Sequence, residues 1–415
     1  MEDRSFVPDW LNKEFLKSAI QKEVNGSNID ITKWDVQLAV SKDNHFASSL
    51  LRVSVEYSFT DKNHISTTET KHLIVKSLPK AELMRIMLTQ TGIFKRETDV
   101  YLVALPAMYR VAEELIGSKI KYLTSRCIYS VPNILVLEDL AHLGYKMADR
   151  RSGLDLRHCQ LALRSLAHFH GMSVALHRKD PSSMILFNEV FYKEEQRTLL
   201  SSNFGPGIQI LASVVAKWPG FERFADKIRK MAETLFTKTV EVVKPKDGSL
   251  SVLNHGDFWT NNILFKCSSG SEVPEEAMFV DFQISRFSSP ALDLQYFMFT
   301  SPSQEVRFGH MDDLLETYHT ELRKTLKMLG CSDVEFTIEH LKKEFEDRAY
   351  FGLITACFPL SVILADPEEI TDLENMTLDD MKAVEGNPME KSYSGTLYRE
   401  TFQKLLLYFE SKGIL

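Results

Sequence analysis

An α+β chain is predicted, an antiparallel sheet region followed by a larger, mainly helical region. Three observations predict it. Residues 49–58, SLLRVSVEYS, alternate strictly, with Leu51, Val53, Val55 and Tyr57 on one face and Arg52, Ser54 and Glu56 on the other, the period-two signature of a half-buried strand. A second extended run, STTETKHLIVKSL at 66–78, follows the polar turn TDKNH at 60–64 and stops before Pro79, so the two runs pair as a hairpin. From LRHCQLALRSLAHFHGMSVAL at 156–176 onward, long helical patterns dominate.

Between these parts, residues 81–116 read as helical, and Phe94, Glu97 and Tyr101 fall on one face at i, i+3 and i+7. NILVLEDL at 133–140 is a further strand, placed after Pro132. A chain of 415 residues exceeds the size at which one hydrophobic core usually splits. The change of period places a boundary near 140, with one part over 1–140 and the other over 141–415.

A helical stretch around 222–243 is followed by the turn PKDG at 245–248 and then by LNHGDFWTNNILF at 253–265. NILFKC (262–267) and AMFVDF (277–282) are short apolar runs joined by the polar connector SSGSEVPEE, which predicts a second hairpin. Antiparallel pairing brings the start of the first strand beside the end of the second, so Asn262 and Asp281 become neighbours. The rest is helical in pattern, as in MDDLLETYHTELRKTLKML at 311–329.

Composition narrows the function classes. With 44% hydrophobic and 26% charged residues the chain reads as an ordinary globular protein. A net charge of −8 and the lack of a long basic run argue against nucleic acid as a partner. The opening MEDRSFVPDWLNKEFL has neither a signal-peptide core nor a membrane anchor. LITACFPLSVILA at 353–365 is too short to span a bilayer and is interrupted by Pro359. Five scattered cysteines without a C-x-x-C pair suit a reducing compartment, and a cytoplasmic location without membrane association is the expectation.

An amide oxygen and a carboxylate meeting at one end of a hairpin form a small hard-oxygen site suited to Mg²⁺ shared with phosphate oxygens. Asp257 lies on the loop leading to Asn262, close to such a metal without having to bind it. A carboxylate there can accept a proton from an attacking hydroxyl. His255 reads as a structural residue of the loop, Phe258 and Trp259 as packing residues, Asp293 as a brace, and His168 and His170 as core histidines.

These motifs carry a resemblance. HGDFWTNN is similar to the H-G-D-x-x-x-x-N loop of the aminoglycoside phosphotransferase and choline kinase superfamily, itself similar to the catalytic loop of protein kinases. Together with VDFQ, LIVKSLP, LVLEDL and SLAHFHGMS, it resembles the ecdysteroid kinase-like family, also called the CHK kinase-like group. The resemblance implies a bilobal protein kinase-like fold, ATP and Mg²⁺ as cofactors, and a small-molecule alcohol as acceptor. It makes Asp257 the catalytic base and Asn262 and Asp281 the metal ligands. It assigns Lys76 to the α- and β-phosphates, with Glu97 as its partner, and Glu138, Asp139 and Leu140 to an adenine-binding hinge.

Departures from the protein kinase pattern refine the expectation. Phe282–Gln283 follows Asp281, and only a short stretch leads to SPALDLQYFMF, leaving no room for a segment that docks polypeptides. The loop SKDNHFASS at 41–49 stands where a glycine-rich phosphate loop belongs yet contains no glycine. Asn44 and Ser48 are its candidate phosphate contacts. The leading reading is a kinase acting on an alcohol, with an ecdysteroid-like sterol as the first acceptor considered. A choline- or ethanolamine-type kinase and a non-catalytic pseudokinase are the alternatives.

Overall fold

A helix and a strand precede the alternating run. Lys13–Gln21 (α1) begins where the Asn12 side chain accepts from the Phe15 amide at 3.1 Å, and buries Leu16, Ala19 and Ile20 along one stripe. Ser27–Leu38 (β1) pairs with the next strand through two register shifts. Those shifts break the alternation that would otherwise have announced it. The computed structural model describes residues 6–24, 27–39, 49–60, 66–188, 191–268, 270–369, 383–384 and 386–415. Asn44 and Ser48 lie outside the described residues.

Ser49–Thr60 (β2) and Ser66–Ser77 (β3) form the predicted antiparallel pair, with Leu51 opposite Val75 and Val53 opposite Leu73. Glu82–Thr91 (α2), Ile93–Asp99 (α3), a wide turn at Val100–Ala104 and Leu105–Ile116 (α4) follow. Cys127–Val131 (β4) and Ile134–Glu138 (β5) complete a five-stranded antiparallel sheet in the order β1-β2-β3-β5-β4. Leu51, Val53, Val55, Leu73, Val75 and Val136 from the sheet pack with Leu16 and Ile20 of α1. Each fully buried side chain of this kind contributes roughly 1.5–3 kcal/mol.

The chain divides into two compact units, residues 1–89 with 124–145, and residues 90–123 with 146–415. The single cut near 140 expected from sequence meets a discontinuous division here. The reason is packing: α4 lies against Leu156–Lys179 (α5), and the helical segment therefore belongs with the second unit. Phe94, Glu97 and Tyr101 are all buried, as their shared face predicts.

In the second unit, Lys146–Met147 (β6) precedes α5, and Arg197–Val215 (α6) packs on Glu222–Val243 (α7). Val252–Asn254 (β7), Ile263–Cys267 (β8), Pro274–Phe279 (β9) and Arg286–Ser288 (β10) form two small sheets, β6-β8-β9 and β10-β7. Ala291–Thr300 (α8) follows, and Met311–Met328 (α9) packs closely along α5. The approach needs Gly171, where an added Cβ would stand 2.5 Å from Thr325 Cγ2. The apolar run at 353–365 is two helices, Ala349–Cys357 and Pro359–Leu364, divided because proline cannot donate to the preceding turn. Among the described residues no helix is long and apolar enough to cross a membrane.

Candidate active site

The loop after β7 is held from below by one carboxylate. Asp293, in the first turn of α8, accepts from the His255 amide at 2.6 Å and the Gly256 amide at 2.8 Å, and from His170 Nε2 at 3.0 Å. Its own amide donates to Asn254 Oδ1 at 3.2 Å. The expected brace is thus an Asp293–His170 pair joined to the loop backbone, and Tyr318 extends it by donating to His170 Nδ1 at 2.7 Å. His255 is structural, as expected: Nε2 donates to the Val280 carbonyl at 2.9 Å, and Nδ1 accepts from the Asp257 amide at 3.3 Å. Burial lowers the pKa of both imidazoles, which keeps this neutral tautomer in place.

Gly256 is required by the same geometry. Its φ is 90°, and an added Cβ would stand 2.1 Å from the Ile284 carbonyl oxygen. Phe258 is fully buried against Phe279 and Phe297, the packing role its sequence position suggests.

Hairpin register brings the polar residues together. Ile263 pairs with Phe279, and the Val280 amide donates to the Asn262 carbonyl at 3.1 Å, so Asp281 follows directly at that end. Asp281 has a φ of 67°, one of two non-glycine residues with positive φ among those described. Such a backbone costs on the order of 1–3 kcal/mol and concentrates at functional sites. The Asn262 side-chain nitrogen donates to Asp257 Oδ2 and to the Asp257 carbonyl, each at 2.9 Å.

Asp257 has its pKa pushed up to about 6, first by burial and then by the negative charge of Asp281. Hydrogen bonds from Tyr296, Trp259 and Asn262 oppose the rise. A carboxyl tuned this way is suited to general-base work near neutrality. Tyr296 was not legible as a site residue. It stands three positions after Asp293 on α8, and that i, i+3 spacing is the signal that places both on the loop side of the helix.

The donor set fits a hard divalent cation. With its nitrogen committed to Asp257, the Asn262 amide offers its oxygen, and Asp281 offers a carboxylate whose charge already raises the proton affinity of Asp257. One amide oxygen and one or two carboxylates, completed by water and phosphate, is a set Mg²⁺ accepts. No group of three or more His, Cys, Asp or Glu able to hold a metal occurs among the described residues.

In the first unit, Lys76 lies on β3 between Leu50 and Leu135 and is only 2% exposed. A buried ammonium is costly unless it meets an anion. Glu97, on α3 of the second unit, is fully buried. At the end of β5, the Glu138 amide donates to the Arg126 carbonyl and its carbonyl accepts from Ser125 Oγ at 2.9 Å. The Asp139 amide donates to the His72 carbonyl, while its side chain accepts from Arg52 Nε at 2.7 Å and from the Ala141 amide at 3.0 Å. The Leu140 carbonyl takes the amides of Leu143 and Tyr145. Much of the hydrogen-bonding capacity expected at a hinge is therefore spent within the protein, and Arg52 is a partner the sequence reading missed.

The sequence model of the ecdysteroid kinase-like family matches residues 42–331, more than half of the chain. The chain belongs to the ecdysteroid kinase-like family. Among solved structures, this ecdysteroid kinase-like protein is similar to a choline kinase from Cryptosporidium parvum, at 13% identity and a TM-score of 0.51, over 97% of this chain and 98% of that one. An ethanolamine kinase from Plasmodium vivax matches at 12% identity and a TM-score of 0.40, over 89% and 84% of the two chains. A GDP complex of aminoglycoside 2'-phosphotransferase-IIIa matches at 13% identity and a TM-score of 0.39, over 95% and 99%. The first of these carries the fold, which is the α+β, bilobal protein kinase-like one expected from the motifs. No curated protein sequence matches this ecdysteroid kinase-like chain.

Proposed function

We propose that this protein is an ATP-dependent small-molecule kinase that transfers the γ-phosphoryl group to an alcohol hydroxyl. The observation carrying the proposal is Asp257 bonded at 2.9 Å to Asn262 at the hairpin end that Asp281 follows, with burial and the charge of Asp281 raising its pKa. In this reading Asp257 accepts the hydroxyl proton as the acceptor oxygen forms its bond to the γ-phosphorus, the bond from that phosphorus to the β–γ bridging oxygen breaks, and ADP leaves. Asn262 and Asp281 hold Mg²⁺, which when bound neutralises phosphate charge. Lys76 serves the α- and β-phosphates, and Glu97 is the carboxylate assigned to it. At the hinge, the Asp139 carbonyl and the Leu140 amide are the main-chain groups that the described contacts leave for adenine.

An apolar, ring-bearing acceptor such as an ecdysteroid-like sterol is supported by the chemistry of a small apolar hollow of about 30 Å³ in the second unit, lined by Tyr192, Phe204, Leu235, Phe236, Ile354 and Phe358, which a ring system would enter only by displacing those side chains. The charge of Asp257 acts on Tyr192 in that wall, linking base and cavity. The test incubates the protein with Mg·ATP and a panel of sterols, simple alcohols and amino alcohols, and measures ADP release together with product mass. Acceptor-dependent phosphorylation is the expected result. Nucleotide binding without turnover across the panel rejects the proposal in favour of a non-catalytic role.

A further inference from the structure

Arg286 opens β10 with only 6% of its surface exposed, and its guanidinium carbon lies 5.2 Å above the centre of the Tyr192 ring. Among the described residues, no hydrogen bond or ion pair engages that guanidinium. The acid acting on it is Asp293, whose oxygens already serve His255, Gly256 and His170. Arg96 adds a second positive charge to the surroundings. Leaving a buried guanidinium without a carboxylate is costly. Arginine is the side chain whose planar fork matches an incoming oxyanion.

Tyr192 joins two sets of charges: Arg286 and Asp257 both act on it, while Asp257 is also coupled to Asp281, at the end proposed for metal and phosphate, and Arg286 to Asp293 and Arg96. Tyr192 lines the aromatic cavity. Arg286 is not itself one of the lining side chains but stacks on Tyr192, which is.

We propose that Arg286 is the anion-binding residue of the acceptor site, so that the alcohol taken by this protein also carries a carboxylate or sulfate, held by Arg286 while the hydroxyl meets Asp257. This rests on the kinase reading above and sharpens it. A compact cationic alcohol such as choline is repelled at this position, and an acidic ring alcohol is favoured.

Lithocholic acid, a ring alcohol with one carboxylate, and its methyl ester are matched probes. Calorimetric binding without nucleotide, and kcat/KM with Mg·ATP, are compared for the wild type, Arg286→Met and Arg286→Lys, with melting curves to establish folding. A third readout is the melting-temperature rise caused by sodium sulfate. The acid should bind the wild type at least about 10-fold more tightly than the ester, a charge-assisted contact being worth that much or more. Arg286→Met should erase this preference and the sulfate effect, and Arg286→Lys should restore part of both. Equal binding of acid and ester by the wild type, or equal sulfate responses in wild type and Arg286→Met, overturns the proposal. So does an Arg286→Met effect confined to the KM for ATP, which would assign the guanidinium to the transferred phosphate. Acid binding that depends on Arg286 without turnover would reject the kinase reading and leave the anion site standing.

Discussion

The side-chain nitrogen of Asn262 donates twice to Asp257, to Oδ2 and to the carbonyl oxygen, each at 2.9 Å. One amide thus fixes the carboxylate and, by the geometry of its own carbon, turns its oxygen to another side. The proposed base and the proposed metal ligand are thereby tied together across the five-residue separation between Asp257 and Asn262.

Asp257→Asn is expected to lower turnover by at least about 10²-fold, because the amide keeps the shape but accepts no proton. Nucleotide affinity should stay close to that of the wild type. Single-turnover transfer and ATP binding, measured side by side, check both statements, and an active variant would remove Asp257 from the role of base.

Asp281→Ala should weaken Mg²⁺-dependent ATP binding more than Asn262→Ala does, since a carboxylate brings charge to a hard cation and an amide only a dipole. Asn262→Ala should instead fall mainly in turnover, having lost both bonds to Asp257. Titrating metal against each variant separates the two. Equal, small effects on metal dependence would reject the assignment of both ligands.

Gly256→Ala should be strongly destabilising, by about 3 kcal/mol or more, because φ at 90° and a Cβ at 2.1 Å from the Ile284 carbonyl oxygen leave the new methyl no space. The measurement is thermal or denaturant unfolding. A variant as stable as the wild type would mean that the loop adopts another path.

His170 supplies a pH dependence with a definite sign. Burial lowers its pKa below 6.5, with the Asp293 hydrogen bond opposing. The unfolded chain therefore takes up a proton that the folded one refuses, and stability is present above pH 6.5 and lost as pH falls below it. His170→Asn should reduce stability at pH 7.5, where the Asp293 and Tyr318 bonds are lost, yet flatten the decline between about pH 6.5 and 5. Unfolding curves across that range test it, and an unchanged slope would show that the proton is taken up elsewhere.

The main elements were legible because their signals are local. Strict alternation from Leu51 to Tyr57 appears as β2, and the helical face of Phe94, Glu97 and Tyr101 is a buried face. The hairpin around Asn262 and Asp281 follows from two apolar runs and a turn, and its pairing brings those residues to one end. β1 escaped because its register shifts spoil the period on which strand recognition depends.

What sequence alone determined is which residue types stand at which spacing: H-G-D with Asn262 five positions on, Asp281 after an apolar strand, Lys76 before Pro79. These spacings point to one family because hydrogen-bond ladders translate them directly into neighbours. Tertiary structure decided the rest. The Asp293–His170 brace joins residues 123 positions apart, the Arg52–Asp139 pair spans 87, and Tyr192 meets Arg286 through a crossing of separate elements. No periodicity encodes such contacts. They arise when apolar faces are buried together, and the polar side chains carried along then find partners, or in the case of the Arg286 guanidinium remain without one among the described residues.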